Sequence, residues 1–260
     1  MDLQLKDKVV IVTGGAKGIG EAISKTLAKE GSWVIIAGRN EADNKKAVKE
    51  IEAGGGKAYS IAVELSVTEN CKKVIDETIH QFGRIDGLVN NAGVNDGVGL
   101  EKGDPERFME SLQKNLIHYY CLAHYALPEL KKSKGAIVNI GSKVSVTGQG
   151  NTSGYAASKG GINALTREWA VELLPYSIRV NTVLPAEVWT PLYEHWINSL
   201  PNPAEKLASI VSRIPLEKRF TTSEEIANTT VFLLSPCSSH TTGQILYVDG
   251  GYVHLDRAIS

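Results

Sequence analysis

Short apolar segments rich in β-branched residues alternate along the chain with longer segments of helical periodicity. Each apolar segment is almost continuously hydrophobic, which is typical of strands buried on both faces of a parallel sheet. We therefore predict a single α/β domain over residues 1–260, with a doubly wound parallel seven-stranded sheet and helices on both faces. The predicted strands are residues 9–13, 33–37, 58–63, 87–91, 136–140, 179–184 and 244–248.

The first predicted strand is followed directly by the glycine-rich segment "TGGAKGIG" at residues 13–20, and then by a helical pattern. Gly14, Gly18 and Gly20 permit a tight turn, a close backbone approach to a phosphate and close packing of the helix on the sheet. The amino end of that helix would then face a pyrophosphate. This arrangement predicts a dinucleotide cofactor.

The end of the second predicted strand bears on the choice of cofactor. Sheets that bind NAD usually carry an acidic residue there, which accepts hydrogen bonds from the ribose hydroxyls. Here Gly38 stands at that position, Arg39 follows it, and Lys17 lies in the glycine-rich segment. Two cations suit a 2′-phosphate, so we expect NADP to be favoured over NAD. The alternative is that both cations are ordinary solvated surface residues.

The segment "SGYAASKGG" places Tyr155 and Lys159 four residues apart, on one face of a helix. Half-ionisation of a tyrosine at pH 7 needs a pKa shift of about 3 units, or roughly 4 kcal/mol. A neighbouring ammonium and a cationic nicotinamide are expected to supply that stabilisation. Ser142, just beyond the fifth predicted strand, is placed to hydrogen-bond the same substrate oxygen.

Composition and charge narrow the function further. The 260 residues include 28 Lys plus Arg and 29 Asp plus Glu, giving a formal net charge of −1 without a basic block. We therefore expect no nucleic-acid partner, and the absence of a run of about 18 apolar residues argues against a membrane span. Cys71, Cys121 and Cys237 are too widely spaced to suggest a disulfide framework or a thiolate metal site. We expect a cytoplasmic protein without a metal.

Taken in order along the chain, these motifs resemble those of the short-chain dehydrogenases/reductases, which have a Rossmann-type fold. The resemblance rests on "TGGAKGIG", "NNAG" at residues 90–93, Asn115, Ser142, "YAASK" at residues 155–159 and "VDGG" at residues 248–251. It implies that Tyr155 is the catalytic acid/base and that Ser142 orients the substrate oxygen. It also implies that Lys159 binds the nicotinamide ribose and lowers the tyrosine pKa, and that Asn115 holds a water in a proton relay.

The same resemblance implies where the dinucleotide binds. Asn91 and Gly93 would pass near the adenosine ribose, Glu64 and Leu65 would hold the adenine, and Thr190 would meet the carboxamide. The full set of predicted cofactor-binding residues is Gly14, Lys17, Gly18, Ile19, Gly20, Arg39, Glu64, Leu65, Asn91, Gly93, Tyr155, Lys159, Val188 and Thr190. The chain departs from the family pattern in two places, with Ala186 for a glycine and Glu64 for an aspartate.

The predicted substrate side is rich in polar and aromatic residues, which suits a small polyhydroxylated ligand better than a steroid. The segments "NDGVGL", "NLIHYY", "PAEVWTPLYEHWI" and "VDGGYVHLDRA" resemble those of the L-fucose dehydrogenases within this family. That resemblance implies oxidation of the anomeric hydroxyl of a sugar, L-fucose in particular, to a lactone. The predicted substrate-binding residues are Asn95, Gln149, Glu187 and Trp196.

Three alternatives stay open at this point. A hydroxysteroid dehydrogenase is one, because Trp189 and Leu192 offer apolar walls. A 3-oxoacyl-acyl-carrier-protein reductase is the second. It would need a basic surface beside the site for its acidic carrier, but the tight basic cluster of the sequence, Lys131, Lys132 and Lys134, is expected at the opposite edge of the sheet. A regulator that kept the dinucleotide fold without catalysis is the third; such a chain should have lost one of the catalytic groups.

Two further expectations concern assembly and motion. The segments "HYYCLAHYALPEL" and "INALTREWAVELL" are apolar on more than one face, so we expect a homo-oligomer, and the resemblance implies a homotetramer. Residues 190–214 follow the sixth predicted strand and should form two short helices broken by "PNP" at residues 201–203. We expect this segment to be a lid that closes over the substrate.

Overall fold

The computed structural model describes residues 1–255; residues 256–260, the end of the predicted domain, lie outside them. Its centre is a seven-stranded sheet in the order β3-β2-β1-β4-β5-β6-β7, and every pair of neighbouring strands is parallel. The strands are β1 (Val9–Thr13), β2 (Trp33–Gly38), β3 (Lys57–Ala62), β4 (Gly87–Asn90), β5 (Ala136–Ile140), β6 (Arg179–Pro185) and β7 (Ile245–Val248).

Helices cover both faces of this sheet. They are α1 (Gly18–Lys29), α2 (Glu41–Ala53), α3 (Thr68–Phe82), α4 (Pro105–Leu112), α5 (His118–Ser133), α6 (Ser153–Glu172), α7 (Pro191–Asn198), α8 (Pro203–Val211) and α9 (Ser223–Leu234). A π-helical turn, Gln113–Ile117, joins α4 to α5. Within the described part of the chain, no helix is both long enough and apolar enough to cross a membrane.

The predicted fold class is confirmed, and each predicted strand boundary lies within one residue of the observed one. The reason is visible in β1, whose successive residues are buried on opposite faces of the sheet. Val9 and Ile11 belong to one apolar core together with Tyr119 of α5. Val10 and Val12 belong to a second core with the side chains of α1, α2 and α9. A strand with two buried faces must be hydrophobic at every position, and the sequence shows that pattern.

The strand order creates the crevice in which a ligand can bind. Strand β1 pairs with β2 on one side and with β4 on the other, so the chain leaves β1 towards one half of the sheet and later returns to the other half. The loops that follow β1 and β4 therefore separate above the carboxyl edge. In open parallel sheets, this divergence of loops is where ligands bind.

Candidate active site

A cleft of about 550 Å³ runs along the carboxyl edge of the sheet. Its walls are formed by the residues that follow strands β1 to β6, together with the first turn of α7. All of the predicted cofactor-binding residues line this cleft, as do Ser142, Tyr155 and Lys159 from the predicted catalytic group. Residues up to 176 positions apart in the sequence thus meet in one cavity, because parallel strands bring all their carboxyl ends to the same edge.

The glycine-rich loop after β1 is shaped by contacts that a side chain would disturb. Gly14 and Gly18 have positive φ angles of 61° and 55°, in the left-handed region that favours glycine. A Cβ atom on Gly14 would lie 3.1 Å from the Asn91 amide nitrogen, and one on Gly20 would collide with the Gly14 carbonyl. The Lys17 side chain makes no capping hydrogen bond to α1 within residues 1–255. The first N–H groups of α1 therefore suit a pyrophosphate, and a dinucleotide fits this loop.

Asn91 ties the end of β4 to the end of β1. Its backbone N–H donates to the Thr13 hydroxyl at 2.8 Å, and its side-chain amide donates to the Thr13 carbonyl at 2.8 Å. The backbone N–H of Ala92 donates to the same hydroxyl at 3.0 Å. These bonds fix the two sides of the crevice relative to one another, so the floor of the cleft is rigid.

Two ion pairs lie at the end of the cleft beyond α1. The Lys17 ammonium lies 2.6 Å from the Asp43 carboxylate, and an Arg39 guanidinium nitrogen lies 3.8 Å from the Glu64 carboxylate. Both cations are largely exposed to solvent, so each pair contributes little to stability. Because the two acids partly offset the two cations, the expected preference for NADP stays a prediction.

The predicted catalytic groups meet at the other end of the cleft. Tyr155 and Lys159 lie one turn apart in α6, with the Lys159 ammonium 5.5 Å from the centre of the tyrosine ring. That ammonium donates to the Ile140 carbonyl at 2.8 Å and to the Tyr119 hydroxyl at 3.4 Å. The Ser142 and Tyr155 side chains line the same part of the cleft, and Ser142 lies close enough to act on the Tyr155 hydroxyl. A substrate oxygen in this corner can therefore contact both hydroxyl groups.

Burial affects the pKa of both Tyr155 and Lys159. Burial raises the pKa of Tyr155, and the neighbouring Ser142 side chain acts in the opposite direction without overcoming burial. Burial also lowers the pKa of Lys159 to about 7, which reduces its positive charge at neutral pH. Both changes arise because the two side chains are withdrawn from water. Without a bound nucleotide the net effect of the protein is therefore to raise the phenol pKa, and the expectation that Lys159 lowers it beside a cationic nicotinamide stays a prediction.

Comparisons with known proteins agree with this geometry. A family model described as "Enoyl-(Acyl carrier protein) reductase", which represents short-chain dehydrogenases/reductases, matches residues 14–253. The chain belongs to the short-chain dehydrogenase/reductase family. It is therefore an NAD(P)-dependent oxidoreductase.

Three members of this family illustrate the range of its relatives. The crystal structure of Cj0485 dehydrogenase is 47% identical, with a TM-score of 0.94, covering 99% of this chain and 98% of that one. The 3-oxoacyl-acyl-carrier-protein reductase FabG of Thermotoga maritima is 36% identical over 96% of this chain and 100% of its own. The L-fucose dehydrogenase of Bos taurus is 35% identical over 96% of this chain and 91% of its own.

Asn115, the fourth predicted catalytic residue of this short-chain dehydrogenase/reductase, is fully buried in the π-helical turn before α5. Its side-chain carbonyl accepts a hydrogen bond from the Val94 backbone N–H at 2.7 Å, and its amide donates to the Ser111 carbonyl at 2.9 Å. A Cβ atom on Gly93 would lie 2.9 Å from the Asn115 side-chain oxygen, so glycine leaves room for it. Asn115 therefore holds the loop that follows β4, and its role in a proton relay stays a prediction.

The predicted substrate-binding residues are placed differently from the cofactor-binding ones. Asn95, Gln149 and Trp196 are exposed and lie outside the cleft walls. Glu187 is buried behind the wall, where it contacts Lys143 and Tyr193. Loop and helix directions set these positions, and they cannot be read from the sequence of a connection. The direct contact of these four residues with a substrate stays a prediction.

His118 lines the cleft and is 2% exposed, but no motif in the sequence indicated it as a site residue. Its Nε2 atom lies 3.0 Å from the Lys114 carbonyl, which can only accept, so Nε2 carries the proton. Nδ1 is then a buried acceptor without a hydrogen-bond partner in residues 1–255. Burial lowers the pKa of His118 to about 4, so the ring is neutral at pH 7. The spacing of four between Lys114 and His118 was the available signal, since it places both residues on one helix face.

Proposed function

We propose that this enzyme acts in the cytoplasm and oxidises the anomeric hydroxyl of a sugar, with L-fucose and NADP as the favoured substrate and cofactor. The observation that carries the proposal is that Ser142, Tyr155 and Tyr193 line the same cleft, and that Tyr193 belongs to an aromatic cluster. That cluster comprises Trp189, Tyr193, Trp196 and Phe220, whose neighbouring ring centroids lie 5.2–6.1 Å apart. Hydroxyl groups beside aromatic faces suit a sugar. The similarity to bovine L-fucose dehydrogenase supports the same substrate.

In the proposed reaction, Ser142 orients the sugar and Tyr155 accepts one proton. Ser142 donates a hydrogen bond to the anomeric oxygen, and the ionised Tyr155 takes the proton of that hydroxyl. The carbon–oxygen bond becomes the carbonyl of the lactone as the carbon gives up its hydrogen with two electrons. NAD(P)⁺, when bound, supplies the acceptor for that hydride. Lys159 holds the ribose of the nucleotide and stabilises the Tyr155 phenolate in its presence.

A second candidate is the reduction of a 3-oxoacyl thioester, which the similarity to the FabG protein of Thermotoga maritima favours. An acyl carrier protein is acidic and would need a basic surface beside the cleft. The cluster at Lys131, Lys132 and Lys134 stands at the end of α5, before β5 and therefore at the amino edge of the sheet. It is on the opposite side from the cleft, so the structure offers this candidate less support than the sugar.

A panel of substrates tests the proposal. L-fucose, estradiol and an acetoacetyl thioester are each offered with NAD(H) and with NADP(H), and nucleotide absorbance is followed. We expect L-fucose to be oxidised with a kcat/KM at least tenfold above estradiol, since apolar and polar pockets discriminate by this much. If only the thioester is turned over, sugar oxidation is wrong and the second candidate, thioester reduction, takes its place.

We also propose that the enzyme is a homotetramer. Helices α5 and α6 expose large apolar side chains, among them Tyr120 at 52%, Val171 at 68% and Leu174, just after α6, at 58%. Exposed apolar groups on neighbouring helices are covered in closed oligomers. Light scattering at micromolar concentration should give four times the mass of the chain, and a monomer would contradict the proposal.

The lid over residues 190–214 remains a proposal as well. Its two helices are α7 and α8, separated by residues 199–202. Ile197 is the buried residue of α7, whereas every residue of α8 is at least partly exposed. The shallow packing of α8 allows that helix to move without disturbing the sheet. Slower hydrogen exchange of 190–214 on adding cofactor and L-fucose is expected; equal, strong protection in both states would indicate a static pair of helices.

A further inference from the structure

A buried ion pair lies behind the substrate corner of the cleft. Lys143 follows Ser142 at the end of β5, and Glu187 follows β6. The Lys143 ammonium donates to one carboxylate oxygen of Glu187, and the two side chains are 14% and 10% exposed. Two charges this far from water are stable only when each is paired and further hydrogen-bonded. The ion pair therefore depends on what surrounds it.

The second carboxylate oxygen of Glu187 reaches helix α7. It accepts a hydrogen bond of 2.8 Å from the Tyr193 hydroxyl. Tyr193 lies in the first turn of α7, where its backbone N–H donates to the Thr190 side chain at 3.2 Å. Its ring lines the cleft, whereas Glu187 lies behind the wall. Glu187 is thus placed to hold a cleft-lining side chain rather than to contact a ligand.

The segment that follows β7 also contacts the Lys143–Glu187 ion pair. The Lys143 ammonium lies 4.2 Å from the centre of the Tyr252 ring, a cation–π contact. Tyr252 is presented by a turn in which the Asp249 carboxylate accepts from the backbone N–H groups of Gly251 and Val253, at 2.8 and 2.9 Å. Four separate segments of the chain therefore meet around one ammonium and one carboxylate.

We propose that Lys143, Glu187 and Tyr193, which we call the latch, fix α7 against the substrate corner, and that Lys143 and Glu187 are positioning residues for substrate binding. The inference rests on the proposed function, in which this corner holds the sugar. The pyrophosphate end of the cleft is held instead by the glycine-rich loop and by the hydrogen bonds between Asn91 and Thr13. Loss of the latch should therefore weaken substrate binding much more than nucleotide binding.

The test compares two latch variants with a matched control. Glu187→Gln removes the carboxylate charge from the latch, and Tyr193→Phe removes only the hydroxyl while keeping the ring. Glu129→Gln is the control, because Glu129 is similarly buried and pairs with Lys132 at 2.6 Å on the opposite edge of the sheet. Each variant is measured by hydrogen exchange, by nucleotide titration and by steady-state kinetics with L-fucose.

We expect exchange of residues 191–198 to become about tenfold faster in both latch variants, while exchange of α1 stays at the wild-type value and the nucleotide Kd rises less than threefold. The KM for L-fucose should rise about tenfold with kcat changed less than threefold, and Glu129→Gln should show neither effect. Unchanged exchange in α7, or faster exchange throughout the sheet, would overturn the latch.

The exchange measurement separates the latch from the proposed substrate. It requires no sugar, so it tests the latch even where L-fucose is not turned over, in which case the proposed function fails alone. Turnover of L-fucose with unchanged exchange in α7 overturns the latch and leaves the proposed function standing. Should Glu187→Gln fail to fold, Tyr193→Phe keeps both charges of the ion pair and gives the answer.

Discussion

The two ends of the cleft are built in different ways. At the nucleotide end, the shape comes largely from the glycine-rich loop, where Gly14 and Gly18 adopt positive φ angles, and from Asn91, which hydrogen-bonds Thr13 on the neighbouring strand. At the substrate end, the shape comes from side chains that meet from distant segments, as Lys143 and Glu187 do across 44 residues. The glycine-rich loop suits a ligand that is common to a whole family. The substrate end is lined by side chains, and these can be changed one residue at a time.

The largest effect is expected at Tyr155, in the substrate end of the cleft. Replacing Tyr155 with phenylalanine removes the proton-accepting hydroxyl and keeps the ring, so kcat should fall about 10³-fold. The nucleotide Kd should stay within a few-fold, because little contact area is lost. Tyr59→Phe is the control: it removes a hydroxyl that bonds Glu77, away from the cleft. A large loss of nucleotide affinity in Tyr155→Phe would reassign the residue to cofactor binding.

The next effect is the loss of protein stability at acid pH that results from burying His118 in the wall of the cleft. Burial holds the folded pKa of His118 at about 4, compared with 6.5 for the free residue. The unfolded chain therefore binds a proton that the folded chain does not, and stability falls as pH drops from about 6.5 to about 4. This residue should contribute a loss of about 2 to 3 kcal/mol between pH 7 and 4.5.

Denaturant unfolding of the wild type and His118→Gln at those two pH values measures the contribution. Glutamine can still donate to the Lys114 carbonyl, but it does not titrate. The variant should therefore lose less stability on acidification than the wild type. Equal losses in the two proteins would mean that the histidine is not held neutral by burial.

The contrast between the two ends also explains what could be predicted from the sequence. The glycine-rich loop, the Tyr155–Lys159 spacing and the buried strands are local patterns, and local patterns fix local geometry. The fold followed from these patterns, and several further residues that line the cleft followed from the resemblance to the family. The latch did not, because no spacing in the sequence indicates that Lys143 and Glu187 face one another. His118 was missed for a related reason: its unpaired nitrogen is a property of packing.

A methyl group added to the glycine-rich loop should disturb the nucleotide end of the cleft alone. In Gly20→Ala the added methyl group collides with the Gly14 carbonyl, so the loop must shift. We expect the nucleotide Kd to rise about 100-fold, the scale of a few lost hydrogen bonds to the pyrophosphate. Gly148→Ala is the control, since a Cβ atom there meets open space within the described chain. Wild-type affinity in Gly20→Ala would show that the loop does not shape the phosphate site.

The smallest effect concerns the choice between NADP and NAD at Arg39. Replacing Arg39 with aspartate places a carboxylate beside Glu64, which repels a 2′-phosphate and accepts hydrogen bonds from free ribose hydroxyls. The ratio of Kd values for NADP⁺ and NAD⁺ should shift about tenfold towards NAD⁺, because Arg39 is exposed and its charge is screened by solvent.

Lys46→Asp is the matched control for this shift, since Lys46 also lies 3.8 Å from a glutamate but stands on the outer face of α2. It changes the net charge by the same amount without lining the cleft. An equal shift in both variants would mean that net charge rather than position sets the preference. A wild-type enzyme that already binds NAD⁺ far more tightly than NADP⁺ would show that Asp43 and Glu64 outweigh Lys17 and Arg39, and that the cofactor choice follows the acids beside the cations.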